Sequence, residues 1–534
     1  MNLGEHQAAV DATLADLENR EVPTRIWRQD YTVWKPDPKE ITDRLGWLTV
    51  TDFMSEQLGS LNAFAQDVKN KGVQHVVLLG MGGSSLGPEV LRSVFGITPG
   101  YPQLIILDST VPDWIISITN VIDPAHTLFL VSSKSGDTLE TLTGYRYFRD
   151  LVDKALGRET AGGRFVAITD SGSPLEGLAR QEGFLRVFSN PTTIGGRYSV
   201  LSYFGMVPAA LTGIDVSLLL SRAARFRETI SAKIPIQENP GASLGAAIAT
   251  LAAFGRDKLT LLTSPTLTNF GLWAEQLIAE SLGKEGRGVI PIVGEPVIAA
   301  NHYGNDRFFI DLRLDGDNVS KSDSAVEELR SDGHPVIQLS LGDRYDIGSE
   351  FYRWEYATAV AGAVMEVNPF DQPNVELSKH KTVEILKAFR RTGTMVPIES
   401  SSSLGGLLNQ ANPGDYVAIL AYMEPTLEVD EALKRLRHRI ISKCRIATTV
   451  GYGPRFLHST GQLHKGGPST GLFFQLTTDF HQDINVPGSD YTFGALANAQ
   501  SYGDIKTLQE LGRRTAKRHI VGNLPTEIGK LLVQ

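Results

Sequence analysis

From His75 onward the sequence repeats one unit: a short apolar run, then a helical stretch, then the next run. Residues 76–79, 104–107, 127–131, 165–169 and 185–187 are five such runs, rich in Val, Ile, Leu or Phe. Runs this apolar suit strands buried on both faces, and the helical stretches between them allow parallel crossovers. The spacing predicts an α/β fold, a doubly wound parallel sheet covered by helices on both sides, with ligands bound beyond the carboxyl ends of the strands. A helical linker over 216–236 leads to the same rhythm again: helix 244–254, strand 259–263, helix 272–282, and strands 289–292 and 336–339. A Ser- and Gly-rich stretch, 399–414, reads as a linker to strand 416–421, a basic helix near 433–443 and strand 445–450. The tail to Gln534 reads as basic helices without a motif. Ahead of all this, residues 7–17 have helical spacing, and Trp27, Tyr31 and Trp34 follow as anchors of a cap on the first unit. The expected division is 1–215, cap and first sandwich; 216–405, linker helix and second sandwich; 406–534, a C-terminal segment packing on or inserting into the second.

The first run opens into Gly80, Met81, Gly82, Gly83, Ser84, Ser85, Leu86 and Gly87, with Pro88 near the start of the next helical segment. That is strand, tight turn and helix N-terminus. Free N–H groups there, with the hydroxyls of Ser84 and Ser85, suit an anion such as phosphate, although a strand-to-helix turn can also carry no ligand. No Gly-Lys-Ser/Thr follows, so this is not a nucleotide-triphosphate loop, and Ser85 stands where a dinucleotide fingerprint needs its third glycine. After the third run, Ser133, Ser135 and Thr138 offer hydroxyls and Lys134 a positive charge, again before a helix. Capping alone favours Ser, Thr and Asp at such a place. Two such loops at the carboxyl ends of one sheet point to a single phosphate pocket. Gly195 and Gly196 let Arg197 project from a bent backbone, where it can bind phosphate, stabilise an oxyanion, or merely cap a helix.

In the second unit, Gln276 and Glu280 lie at i and i+4 on one helical face, and Glu280 sits where the helix breaks toward Gly283. A partly buried carboxylate there suits proton abstraction α to a carbonyl, and a solvated helix glutamate is the local alternative. Pro369 and Pro373 fix an extended loop before a helix whose early turns hold Lys379. His458 and His464, with Lys465 beside them, have no Cys or acidic companion nearby, which favours acid/base chemistry over metal binding.

A net charge of −9 argues against nucleic-acid partners, so a phosphorylated ligand must be drawn in by a local basic cluster. The single cysteine, Cys444, excludes an intramolecular disulfide and fits a reducing compartment. The start of the chain lacks a signal-peptide pattern, and no stretch approaches ~18 consecutive apolar residues, so a cytoplasmic protein without membrane contact is expected.

Five stretches together carry a resemblance: Gly-Met-Gly-Gly-Ser-Ser-Leu-Gly-Pro, Ser-Ser-Lys-Ser-Gly-Asp-Thr-Leu-Glu-Thr, Gly-Gly-Arg-Tyr-Ser, Gln-Leu-Ile-Ala-Glu-Ser-Leu-Gly-Lys and Asn-Pro-Phe-Asp-Gln-Pro-Asn-Val-Glu-Leu-Ser-Lys. In this order, over roughly residues 75–379, the chain resembles the glucose-6-phosphate isomerase family, and most of all the isomerase portion fused to transaldolase in some bacteria. The resemblance implies two sugar-isomerase sandwiches plus a C-terminal α/β segment completing the second. It implies reversible aldose–ketose isomerisation of D-glucose 6-phosphate and D-fructose 6-phosphate, through ring opening and a cis-enediol. By the same resemblance Ser84, Ser133, Lys134, Ser135 and Thr138 hold the phosphate, and Gly82, Gly83, Gln276 and Gln372 line the substrate. Glu280 moves the proton between C1 and C2, Arg197 stabilises the enediolate, and Lys379 with a histidine opens the ring. No metal or organic cofactor is implied, because Arg197 can supply the charge. A homodimer is.

One departure stands out. The family's ring-opening histidine usually falls in a His-Ser-Met-Gly-Gln-like segment between the glutamate and the lysine. Here that interval holds only His302 and His334, in other contexts, while Leu457, His458, Ser459, Thr460, Gly461 and Gln462 follow Lys379. The expectation is a permuted connection, in which the strand ending near His458 inserts into the second sheet and returns its histidine to the cleft. Competing functions are a non-catalytic sugar-phosphate sensor and a related enzyme accepting mannose 6-phosphate; a nicotinamide dehydrogenase is disfavoured by the missing third glycine.

Overall fold

The computed structural model describes residues 3–392 and 403–531. Among them, all strands belong to three fully parallel sheets. The first holds β1 (His75–Gly80), β2 (Gln103–Leu107), β3 (Thr127–Ser132), β4 (Phe165–Asp170) and β5 (Arg186–Asn190), in the order β2-β1-β3-β4-β5. The second holds β6 (Lys258–Thr263), β7 (Ile290–Ile292), β8 (Arg307–Leu314) and β9 (Val336–Leu341), ordered β7-β6-β8-β9. The third holds β10 (Tyr416–Tyr422), β11 (Ala447–Tyr452), β12 (Gly471–Thr478) and β13 (Arg514–Ile520), ordered β11-β10-β12-β13. The doubly wound α/β architecture expected from the strand–helix rhythm is therefore present, and the five runs of the first unit are its five strands.

The expected insertion of the strand before His458 into the second sheet does not occur. That strand, β11, pairs with β10 in a sheet of its own. The reason lies in the tail, which supplies β12 and β13 as well as helices. Leu472, Phe474 and Leu476 of β12 pack with Val417, Ile419, Leu433 and Leu436 in a separate core. β13 is an edge strand, and its run of Arg514, Lys517, Arg518 and His519 reads as polar in sequence because edges carry charge against mispairing. The third sheet still docks on the second: Arg437, 2% exposed, donates to the carbonyls of Val293 and Gly294 just beyond β7. The N-terminal cap also reaches the second sheet's helices. Trp27 Nε1 donates to Ile230 O and Trp34 Nε1 to Ala359 O, both at 2.8 Å.

Register decides where the loops emerge. Gly80, the last residue of β1, lies opposite Ser132, the last of β3, and Asp170 of β4 lies opposite Asn190 of β5. The chain leaves β1 toward β2 on one side and continues with β3 on the other, so a crevice opens above β1 and β3, where such sheets bind ligands. Over it lies the helix Phe270–Leu282, apolar and buried along nearly its whole length. Trp273 meets Phe351 of the helix Ile347–Met365 edge-on at 4.8 Å. Each such fully buried side chain contributes roughly 1.5–3 kcal/mol, and this packing fixes Gln276 and Glu280 on the helix face above the crevice. Among the described residues, no helix is long and apolar enough to cross a membrane.

Candidate active site

The loops after β1, β3 and β5, the end of the helix Phe270–Leu282 and the segment after β11 surround a cavity of about 600 Å³. That is ordinary for a small-molecule site. A second, open depression of about 780 Å³ is lined by Asp323, Glu327, Glu328 and Asp332, and its charge disfavours a phosphorylated ligand.

Two glycines let the walls approach. Gly82 has φ +55°, and a Cβ there would meet His458 O at 2.7 Å and Gln276 Nε2 at 2.8 Å. A Cβ on Gly83 would fall 1.9 Å from Gly196 O, so the first glycine loop and the loop carrying Arg197 touch backbone to backbone. Ser84, Lys134, Ser135 and Thr138 line the cavity, with Arg44 of the N-terminal segment. Lys134 is paired with Asp170 and donates to Thr192 O at 3.2 Å, while Ser135 donates to Asp137. Burial raises the Asp170 carboxyl above its ordinary range even though Lys134 pulls it down. Ser133 is not among the lining residues: its hydroxyl bonds Thr138 Oγ1 at 2.9 Å and accepts from Gly136 N, bracing the loop.

A second pair of charges in the lining is dry. Glu280 and Arg197 are 4% and 5% exposed, with Arg197 Nη1 at 3.6 Å from Glu280 Oε2. Arg197 Nε donates to Ser281 Oγ, and Nη2 to the carbonyls of Pro369 and Asp371, each at 2.8 Å. Gln276 Nε2 donates to Glu280 Oε2 at 3.0 Å and to His458 O at 2.9 Å. Burial raises the Glu280 carboxyl, opposed by Arg197 and then by the Gln276 amide. A carboxylate made more basic, with a guanidinium beside it, can take a proton from carbon and leave the resulting oxyanion beside a positive charge. Lys284, one turn beyond Glu280 and 1% exposed, donates to Asn368 O, Asp371 O and Asp371 Oδ1 at 2.6–2.7 Å. Burial, then the charge of Arg197, push it down to about 8 against the pull of Asp371.

The third sheet supplies the remaining wall. His458 lines the cavity with Nε2 3.1 Å from Glu140 Oε1, a carboxylate from the first unit. Arg455, three residues earlier, donates to Asp108 Oδ2 at 2.8 Å, and the same oxygen accepts from Ser85 at 3.0 Å. The segment bearing His458 is thus tied through Asp108 to the glycine loop.

The phosphoglucose isomerase family profile matches residues 48–288. A glucose-6-phosphate isomerase of Rubrobacter xylanophilus is 33% identical over 374 residues, which cover 61% of this chain and 86% of that protein. The chain belongs to the phosphoglucose isomerase family. A probable glucose-6-phosphate isomerase of Methanococcus maripaludis is 29% identical over 400 residues, covering 68% of this chain and 87% of its own. Among solved structures, a hypothetical protein of Thermus thermophilus superposes with a TM-score of 0.61 at 27% identity, covering 71% of this chain and 98% of that one. The glucose-6-phosphate isomerase of Chlamydia trachomatis has the same fold, with a TM-score of 0.59 at 21% identity over 72% of this chain and 86% of its own.

Of the residues that the family resemblance singles out, the cavity brings together Gly82, Gly83, Ser84, Lys134, Ser135, Thr138, Arg197, Gln276, Glu280, Gln372 and His458. Lys379 lies on the helix Val375–Thr392, and its side chain is outside the described residues. Neither His302 nor His334 lines the cavity, and His334 packs on the rings of Tyr303 and Phe309. His464 is buried against Phe473, with burial pushing it well below its ordinary range. Among the described residues no cluster of three or more His, Cys, Asp or Glu is disposed to hold a metal. Sequence reading did not single out Glu140, Ser281, Lys284, Asp371 or Gln500; Glu140 stands inside a quoted motif, where it reads as an ordinary first-turn acid.

Proposed function

We infer that this chain interconverts D-glucose 6-phosphate and D-fructose 6-phosphate by opening the sugar ring and moving a proton between C2 and C1 through a cis-enediol. The observation that carries the reading is the buried Glu280–Arg197 pair in a cavity that Ser84, Lys134, Ser135 and Thr138 also line. An open-chain aldose held by its phosphate would present C1 and C2 to Glu280. The carboxylate takes the C2 proton and returns it to C1, and Arg197 carries the charge that develops on oxygen. Phosphate binding falls to Ser84, Lys134, Ser135, Thr138 and the backbone N–H groups of the two loops, with Ser133 as their brace. His458 exchanges the ring-oxygen and hydroxyl protons that opening requires. Lys379 would assist it, and Gln276 and Gln372 would line the sugar, as the family resemblance implies. Arg197 supplies the positive charge at the reacting oxygens, so this scheme routes no step through a metal.

The three sheets support a division of the chain near residues 215 and 405, with the site built where the units meet. A homodimer and a cytoplasmic location belong to the same proposal, the second supported by the single cysteine, Cys444.

Conversion of fructose 6-phosphate to glucose 6-phosphate by the purified chain in excess chelator tests this reading. Turnover unaffected by the chelator supports it. A folded protein that binds the sugar phosphate but converts neither it nor mannose 6-phosphate contradicts it and makes the chain a sensor.

A further inference from the structure

The helix Phe493–Glu510 lies in the third unit, far beyond the span matched by the family profile, and nothing in the reaction scheme above uses it. It nevertheless reaches the cavity through Gln500, which is 3% exposed. Gln500 Nε2 donates to Glu140 Oε1 at 2.6 Å, the same oxygen that meets His458 Nε2 at 3.1 Å. The other end of the amide is also held: Thr110 Oγ1, fully buried, donates to Gln500 Oε1 at 2.6 Å. With its oxygen committed to Thr110, the amide can offer only N–H groups to the carboxylate. One helical turn on, Asp504 accepts from Lys465 Nζ at 2.8 Å, and Lys465 sits on the short helix Gly461–Gly466 that follows His458. One face of this helix therefore grips both the histidine's carboxylate partner and the segment that carries the histidine.

We propose that Gln500 is a positioning residue for ring opening, its amide holding Glu140 in the orientation that presents a carboxylate oxygen to the His458 imidazole. The inference rests on the isomerase reading above and extends it. A carboxylate accepting from Nε2–H leaves Nδ1 as the nitrogen free to exchange a proton with the sugar, so the tautomer of His458 depends on where Glu140 points. Without the amide, Glu140 keeps the same charge but gains rotamer freedom, and a displacement of about 1 Å at a reacting group can cost about 100-fold in rate.

The test separates ring opening from proton transfer at carbon. Interconversion of the α and β anomers of glucose 6-phosphate, followed by NMR exchange, needs opening and closing alone. Isomerisation needs both. Gln500→Met, similar in length but without the amide, is expected to slow anomer interconversion and overall turnover together, by about 10–100-fold, with KM nearly unchanged. Thr110→Val, which frees the amide without removing it, is expected to show a smaller loss of the same kind. Glu280→Gln, as the converse, should lose isomerisation and keep anomer interconversion. Wild-type anomer interconversion in folded Gln500→Met overturns the proposal; so does a loss expressed only in KM. If Gln500→Met does not fold, wild-type anomer interconversion in folded Thr110→Val overturns it instead. A wild-type protein that neither isomerises nor anomerises sugar phosphates removes the underlying reading itself, which is a different result from an active wild type with an indifferent Gln500.

Discussion

Lys134 at the proposed phosphate end and Arg197 at the proposed reaction end of the same cavity are both cations paired with carboxylates, but their settings differ. The Lys134 side chain is 25% exposed and its partner Asp170 12%, and Ser135 beside it is exposed and bonded to its neighbour Asp137. The Arg197 and Glu280 side chains are 5% and 6% exposed, and the guanidinium makes three further bonds to Ser281, Pro369 and Asp371. The Lys134 ammonium is within reach of solvent, so an incoming phosphate can join Asp170 as its partner and compete with it. A buried, multiply bonded cation cannot change partners cheaply; it is already oriented before the substrate arrives. The open end is built to exchange ligands and the dry end to hold still, and substitutions should divide accordingly between KM and kcat.

The largest effect short of removing the base is expected at Arg197. Arg197→Lys keeps the charge, but one ammonium cannot reach Ser281, Pro369, Asp371 and Glu280 together, so kcat should fall roughly 100- to 1,000-fold with little change in KM. Steady-state kinetics check this, and a change confined to KM would erase the contrast between the ends. Next comes Lys284→Met. Lys284 and Arg197 both donate to Asp371 O, so losing the lysine loosens the arginine's own anchor, and kcat should fall about 10- to 100-fold.

The pH dependence sharpens the same point. With Lys284 pushed down to about 8, the wild type should lose activity above that pH as the ammonium discharges, and this limb should be absent from Lys284→Met. On the acid side Glu280, raised by burial, should protonate and stop acting as base at a higher pH than an ordinary carboxylate. For stability the sign runs the other way at Lys284. Its folded value lies below the ordinary 10.5, so between about 8 and 10.5 the unfolded chain holds more of its proton and this lysine makes stability rise with pH. Urea titrations of wild type and Lys284→Met across that window measure the slope.

Smaller effects belong to the open end. Lys134→Met should raise KM for the sugar phosphate roughly tenfold and leave kcat close to wild type, the signature of binding shared by ground and transition states. Asp170→Asn removes the carboxylate that competes with phosphate for Lys134 and should lower KM by roughly two- to fivefold. A large kcat loss in either would mean that the phosphate end also sets the reaction geometry.

The difference between the ends also marks what the sequence could disclose. The loops proposed to bind phosphate depend on local backbone chemistry, namely glycines, hydroxyls and a helix start within a few residues, so their residues stand together in the chain. The reaction end depends on contacts between distant segments. Glu140 meets His458 across 318 positions and Gln500 across 360, and no periodicity or spacing registers such a pair. Local sequence marks Glu280 and Arg197 as candidates, but a helix glutamate and a loop arginine also look ordinary in isolation, and the family resemblance is what singles them out. The first sheet, and β6, β7 and β9 of the second, followed from apolar runs bounded by turns, whereas β8 (Arg307–Leu314), with Arg307, Asp311 and Arg313 interrupting its apolar run, did not. β12 and β13 did not, because one lies in a tail read as helical and the other carries the charges of an edge strand.

The most direct test of the account follows the carbon-bound hydrogen. Fructose 6-phosphate is incubated in deuterated water with wild type and with Glu280→Gln, and deuterium at C1 of the recovered ketose and C2 of the aldose is read by NMR. A base that takes and returns the proton predicts solvent deuterium in both sugars with the wild type. With Glu280→Gln, incorporation and conversion should fall together by about 100- to 10,000-fold in a protein that still folds and binds the sugar phosphate. Undiminished incorporation in that variant would show that Glu280 is not the base and would contradict the assignment of the dry end as the seat of the chemistry.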